Sequence, residues 1–193
     1  MKTFNVIKCP LGVGVDGPDS NNTVCLLKKR GKVKVLKDEI YSKAEDLNFE
    51  GSLDTHVGIS HTRWATHGVP SAINAHPQRS DDSNKFVVVH NGIITNYKDV
   101  KAFLVSKGYK FESETDTEVI AKLVDHIHSS HPEDSFRQLI EKAIQQLEGA
   151  FACAFKSRVF PGEIVATRRG SPLLVGIKTE GGIEADAIPI QYR

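Results

Sequence analysis

Two apolar stripes near the middle of the chain set the fold class. Val119, Ile120, Leu123, Val124 and Ile127 share one face of a helix, as do Phe136, Leu139, Ile140, Ala143, Ile144 and Leu147, because both sets recur with a 3.6-residue period. A helix striped on one side has to bury that side, and its neighbours in sequence read as strands. Residues 11–15 and 23–27 are short apolar runs separated by Asp16-Gly17-Pro18-Asp19-Ser20-Asn21-Asn22, a segment dense in turn formers, so the spacing predicts a hairpin. Residues 57–59 and 86–89 are further strand candidates, joined by a long polar connection. The first helix should start in the region Thr115-Asp116-Thr117, which is rich in N-cap residues, and the second should stop at Gly149. Residues 150–156, 163–167 and 173–177 follow as strands divided by Pro161-Gly162 and Gly170-Ser171-Pro172. The expected architecture is a layered α+β domain with no internal repeat and no interdomain linker.

The chain has 193 residues, 39% of them hydrophobic and 25% charged, which is enough to build a core without disulfides or metal. Folding at this length buries roughly 70% of the surface of the extended chain. Lys and Arg number 25 against 24 acidic residues, and both signs are interspersed, so the basic footprint of a nucleic-acid binder is missing. The run Lys28, Lys29, Arg30, Lys32 and Lys34 is expected to decorate a solvated face. No window approaches the ~20 apolar residues of a membrane span, and residues 1–10 lack a signal-peptide core. These features lead to the expectation of a cytoplasmic protein with no membrane or nucleic-acid partner. Cys9, Cys25 and Cys153 form no C-x-x-C pair, which argues against a disulfide framework or a thiolate zinc site. Cys153, inside Phe151-Ala152-Cys153-Ala154-Phe155, reads as a small buried hydrophobe. His126, His128 and His131 close a helical pattern just before Pro132, where imidazoles suit a helix C-terminus, so no metal or cofactor is expected.

The chemistry lies in three polar segments. His61-Thr62-Arg63-Trp64-Ala65-Thr66-His67-Gly68 packs a guanidinium, an indole, hydroxyls and two imidazoles into eight residues at a strand end. Arg63 could fork onto a carboxylate while Thr66 and His67 add hydrogen bonds; a structural salt bridge beside Trp64 is the equal alternative. In His90-Asn91-Gly92, an asparagine amide and a glycine N–H can converge as two donors for a developing oxyanion, although Asn-Gly alone is usually a turn. Glu114-Thr115-Asp116-Thr117 offers a carboxylate able to receive an ammonium group, or else a plain helix cap. A cation for a carboxylate, an anion for an amine and two neutral donors for an amide carbonyl together suit glutamine. The kit contains no evident nucleophile.

The segments 61–68, Asn74-Ala75-His76-Pro77, Val89-His90-Asn91-Gly92-Ile93-Ile94, Ser113-Glu114-Thr115-Asp116-Thr117-Glu118 and Thr167-Arg168-Arg169-Gly170-Ser171-Pro172-Leu173 occur in fixed order. In this the chain resembles the glutaminase domain of the glutamine-fructose-6-phosphate aminotransferases, class II glutamine amidotransferases of the N-terminal nucleophile hydrolase fold. The resemblance covers residues 11–193 and implies a four-layer sandwich, two antiparallel sheets between helical layers. It assigns Arg63, Thr66, His67 and Asp116 to holding glutamine and places Trp64 near the route by which ammonia leaves. Asn91 and the Gly92 amide would make the oxyanion hole. The family's nucleophile is an N-terminal cysteine thiol with its own α-amine as base. Residues 1–10 do not match the strand and helix that carry it, so the amidotransferase domain is expected to be incomplete. Two readings therefore stand: a glutamine-hydrolysing domain serving glucosamine 6-phosphate synthesis, or an inactive module that binds glutamine or pairs with full-length aminotransferase subunits.

Overall fold

A computed structural model describes residues 10–16, 23–43, 57–63 and 69–176. Strand β1 (Pro10–Asp16) pairs antiparallel with β2 (Val24–Arg30), which is the expected hairpin. Its other edge takes β3 (Gly58–Thr62), giving a three-stranded sheet of order β2-β1-β3. The second sheet has order β4-β5-β6-β7, built from β4 (Gln78–Arg79), β5 (Phe86–Ile94), β6 (Gly149–Ser157) and β7 (Ile164–Arg169), all antiparallel. Helix α1 (Val33–Ser42) packs on the first sheet, and α2 (Tyr97–Ser106), α3 (Thr117–Ser130) and α4 (Phe136–Gln145) lie on the second sheet's side. The layered α+β domain expected from the sequence, in the four-layer form that the family resemblance implies, is thus the one observed among the described residues.

Strand alternation explains the layers. On β5, Phe86 and Val88 face the helices, where they join Val119, Ile120, Leu123, Leu139, Ile140, Phe151 and Phe155 in the main core. The intervening Val87 and Val89 point the other way and meet Val24 and Ile59 of the first sheet in a smaller core between the sheets. Cys153 sits in the main core, and burial pushes its thiol pKa up, which suits an inert side chain. Helix α4 is fixed at its start by a capping box in which Ser135 Oγ accepts from the Gln138 N–H and the Gln138 side chain accepts from the Ser135 N–H.

Four sequence expectations need correction. Helix α4 ends at Gln145, and Gly149 is the first residue of β6, with a φ of 116° that lets the chain turn into the strand. Residues 173–176 are not a strand; Leu174 is 94% exposed, and with nothing to pack against, the apolar run does not join a ladder. Helix α1 was not anticipated, because only Leu36 on it is buried and its charged remainder masks the period. The basic run is not wholly solvated either. Lys29 pairs with Glu39 at 3.2 Å, while Lys28 is half-buried and donates to the Ile73 carbonyl at 3.0 Å. Burial first, then the charge of Arg79, lowers the Lys28 pKa to about 8.

The three histidines ending α3 do not share a point. His126 lies edge-on to Phe103 and Tyr109, His128 against Phe86 and Phe160, and His131 occupies the C-cap. No helix among the described residues is long and apolar enough to cross a membrane.

Candidate functional site

The space between the two sheets changes character toward one end. On β3, Ile59 belongs to the inter-sheet core, and His61 and then Arg63 follow in the same alternation. On the facing strand, Val87 and Val89 are followed in step by Asn91. Apolar packing thus gives way to an imidazole, a guanidinium and an amide, and a hollow of ≈160 Å³ opens there. It is lined by Arg63, Asn91, Gly92 and Asp116, together with Thr62 and Thr117 and a trio of histidines, His61, His76 and His90. Four of the residues singled out from sequence therefore come together. Trp64, Thr66 and His67 lie outside the described residues.

Arg63 is only 3% exposed. Its Nη1 has no hydrogen-bond partner among the described residues, and no described acidic group lies within salt-bridge distance of the guanidinium. Burial pulls the guanidinium pKa below its ordinary value, opposed by the negative charges of Asp116 and then Glu114, which act from beyond ion-pair distance. A buried cation with an unspent donor nitrogen is a costly arrangement that an incoming carboxylate would relieve.

Asp116 stands at the N-cap position of α3 but does not cap the helix with its side chain. Its Oδ2 instead accepts from the Ile94 N–H at 3.0 Å, tying the end of β5 to the start of α3. Glu114 plays a scaffold part. Its carboxylate accepts from the Val69 N–H and the Asn74 amide, and its own N–H donates to Asn74 Oδ1, so the 69–76 segment is clamped to the 112–116 segment.

Gly92 has a φ of 126°, a conformation L side chains rarely adopt, and a Cβ there would sit 2.1 Å from the Ala150 carbonyl oxygen. The bare backbone is what keeps β5 against β6 while Asn91 and Gly92 remain exposed at the hollow.

The histidines are the part sequence reasoning under-read. His61 Nε2 lies 2.7 Å from Asn91 Oδ1, and the His61 ring lies 4.6 Å from that of His76. Thr117 Oγ1 bridges His76 Nε2 at 3.0 Å and His90 Nδ1 at 2.9 Å. Burial, reinforced by the neighbouring His61, His90, Arg63 and Lys28, drives the His76 pKa down to about 2. Burial also lowers that of His61, and Arg63 lowers it further, against the Asn91 hydrogen bond that raises it. Both rings are therefore neutral at pH 7. The signal for His61 was its two-residue spacing from Ile59 and Arg63 on one face of β3. His76 and His90 carried no comparable signal beyond the motifs that contain them.

Among the described residues no cluster of His, Cys, Asp and Glu is arranged to hold a metal. No described cysteine lines the hollow; Cys25 lies on β2 and Cys153 in the main core.

Comparison with known proteins bears on the family and the fold. Residues 61–169 match the glutamine amidotransferase domain family. The chain is 56% identical over 190 residues to glutamine--fructose-6-phosphate aminotransferase [isomerizing] 1 of Rattus norvegicus, covering 94% of this chain and 28% of the relative. It is 44% identical over 185 residues to the corresponding enzyme of Saccharomyces cerevisiae, covering 94% of this chain and 25% of the relative. The chain thus spans about a quarter of the length of the curated relatives it matches. In fold it is similar to the glutamine phosphoribosylpyrophosphate amidotransferase of B. subtilis, with a TM-score of 0.57, 21% identity, and coverage of 78% of this chain and 30% of that one. With its motifs assembled on two stacked antiparallel sheets and the family match spanning more than half of its length, this chain belongs to the glutamine amidotransferase domain family.

Proposed function

We propose that the hollow between the sheets binds L-glutamine and that the chain, residues 11–193, is the glutamine-hydrolysing part of a glutamine-fructose-6-phosphate aminotransferase. The observation that carries the reading is the buried Arg63 guanidinium, whose Nη1 has no partner among the described residues, within the same ≈160 Å³ hollow as Asp116, Asn91 and Gly92. Arg63 takes the α-carboxylate, and the Asp116 Oδ1 oxygen takes the α-ammonium while Oδ2 stays bonded to Ile94. The Asn91 amide and the Gly92 N–H face the side-chain carbonyl, where negative charge grows during hydrolysis. Thr66 and His67 add hydrogen bonds to the ligand, and Trp64 borders the exit for ammonia. In the family's chemistry a cysteine thiolate bonds to the amide carbon, the oxyanion collapses with loss of ammonia, and water cleaves the resulting thioester to glutamate. The ammonia goes to a sugar phosphate in the synthesis of glucosamine 6-phosphate, in the cytoplasm, in assembly with full-length subunits.

A second reading, binding without turnover, is favoured by the lack of a cysteine among the described residues that line the hollow. Calorimetric titration with L-glutamine, alongside an ammonia assay on the same protein, tests both. Saturable binding is expected. Release of ammonia supports the hydrolase, saturable binding without release supports the binding module, and absence of binding refutes both.

A further inference from the structure

The geometry points to His61 as a positioning residue that fixes which end of the Asn91 side-chain amide faces the hollow, an inference that rests on the glutamine reading above. An asparagine amide has one accepting and one donating end, and only Nδ2 can stabilise an oxyanion. Rotation by half a turn would present a lone pair to the developing charge. Asn91 is exposed, so close packing does not forbid that rotation. Among the described residues His61 supplies the hydrogen bond to the Asn91 side chain, at 2.7 Å from Nε2 to Oδ1.

Tautomer and amide lock one another. Oδ1 can only accept, so Nε2 must carry the proton, and a neutral ring then leaves Nδ1 bare. His61 Nδ1 is buried and has no hydrogen-bond partner among the described residues. A proton moved to Nδ1 would be an N–H buried without an acceptor, which costs more than an unused lone pair. A flipped amide would set its N–H against the Nε2–H. One combination alone satisfies both partners, and it leaves Nδ2 free for the ligand.

The ring is in turn held from behind. The His76 ring lies 4.6 Å away, tilted by 38°, and its Nε2 is 3.0 Å from the hydroxyl of Thr117, the first residue of α3. On the neighbouring strand Gly12 pairs with His61, and a Cβ on Gly12 would lie 2.0 Å from the His76 carbonyl oxygen, so glycine lets the His76 segment close against the sheet. The position of Asn91 thus refers back to a helix rather than to a loop.

Two measurements on the full chain test this. Nitrogen-15 NMR of the histidine rings should show His61 as the neutral Nε2–H tautomer in the unaltered, ligand-free protein; an Nδ1–H tautomer overturns the proposal without any variant having to fold. Calorimetric titration with L-glutamine then compares His61→Ala, His61→Gln, Asn91→Ala and the double variant His61→Ala/Asn91→Ala. Each alanine change should weaken binding about tenfold. The double variant should be no weaker than Asn91→Ala alone, and His61→Gln, whose amide N–H can replace the donor, should bind nearly as the unaltered chain does. Losses that add in the double variant, or an unchanged affinity in His61→Ala, would overturn the role of His61 while leaving the glutamine site intact. Failure of the unaltered chain to bind glutamine would overturn both.

Discussion

Arg63→Met should move binding and stability in opposite directions. The side chain is 3% exposed, its Nη1 is without a partner among the described residues, and Asp116 and Glu114 act on it only from beyond ion-pair distance. Methionine keeps most of the stem's volume and removes the charge. In the ligand-free protein the change relieves a buried cation that Asp116 and Glu114 compensate only in part. Replacing even paired buried charges by apolar groups of like size is neutral or stabilising by about 1–4 kcal/mol, and the same range applies here. With ligand, the account reverses. A desolvated charge-assisted fork to a carboxylate is lost, at a cost of about 2–5 kcal/mol, so the dissociation constant for L-glutamine should rise by roughly thirtyfold or more. Urea denaturation without ligand measures the first effect and isothermal titration calorimetry the second. If Arg63→Met lowers the stability of the ligand-free protein by more than about 1 kcal/mol, the guanidinium is a structural tie and not an unspent cation. An unchanged dissociation constant would remove Arg63 from the site.

The neutral, 4% exposed His76 makes stability depend on pH. Its folded pKa lies below the unfolded value of about 6.5, so the unfolded chain binds the extra proton and stability falls as pH drops. From pH 7.5 to 5.5 this one group should cost about 1.4 kcal/mol, with His61 acting in the same sense. Urea midpoints at the two pH values check the slope, and a flat profile would mean that His76 titrates normally. Gly92→Ala should cost about 2–5 kcal/mol, since a Cβ 2.1 Å from the Ala150 oxygen at a φ of 126° combines a disfavoured backbone with overpacking against main chain. Chemical denaturation giving a loss under about 0.5 kcal/mol would show that β5 can shift away from β6 at little cost.

What the sequence made legible follows from which residues repeat. The stripes on α3 and α4 fixed both helices because nearly all of their apolar residues enter one core. Strand β5 was equally clear, since both of its faces are buried and its start reads as an unbroken apolar run. Helix α1 was obscured by lying on the outside of the smaller sheet with Leu36 as its one buried residue. Residues 173–176 failed in the opposite way. Their composition suits a strand, but a strand needs a partner edge, and pairing is a tertiary property that composition does not encode. At the site, Arg63, Asn91, Gly92 and Asp116 stood out because each is an odd residue where it occurs. That they share a hollow depends on two sheets meeting face to face, which the motifs imply only through family likeness. His61 and His76 were hidden for the same reason: a neutral imidazole announces nothing until its neighbours are known.

The neutrality of those imidazoles bears on which ligand the site retains. In the proposed binding mode Arg63 and Asp116 would supply one charge of each sign for the α-carboxylate and α-ammonium, groups that L-glutamine and L-glutamate share. Discrimination therefore rests on the side-chain end, where Asn91 and Gly92 offer dipoles and His61 stands behind them uncharged. A protonated His61 would place a full positive charge beside the ligand's δ-group and favour the carboxylate of glutamate, the product of hydrolysis. Uncharged donors satisfy the amide of glutamine but leave a glutamate carboxylate poorly compensated after it has given up water. The chain should accordingly bind L-glutamine about tenfold or more tightly than L-glutamate at pH 7.5, a gap of about 1.4 kcal/mol or more. Competition calorimetry measures the ratio directly. Equal affinities, or a preference for glutamate, would mean that the side-chain end carries net positive charge and that the imidazoles do not stay neutral.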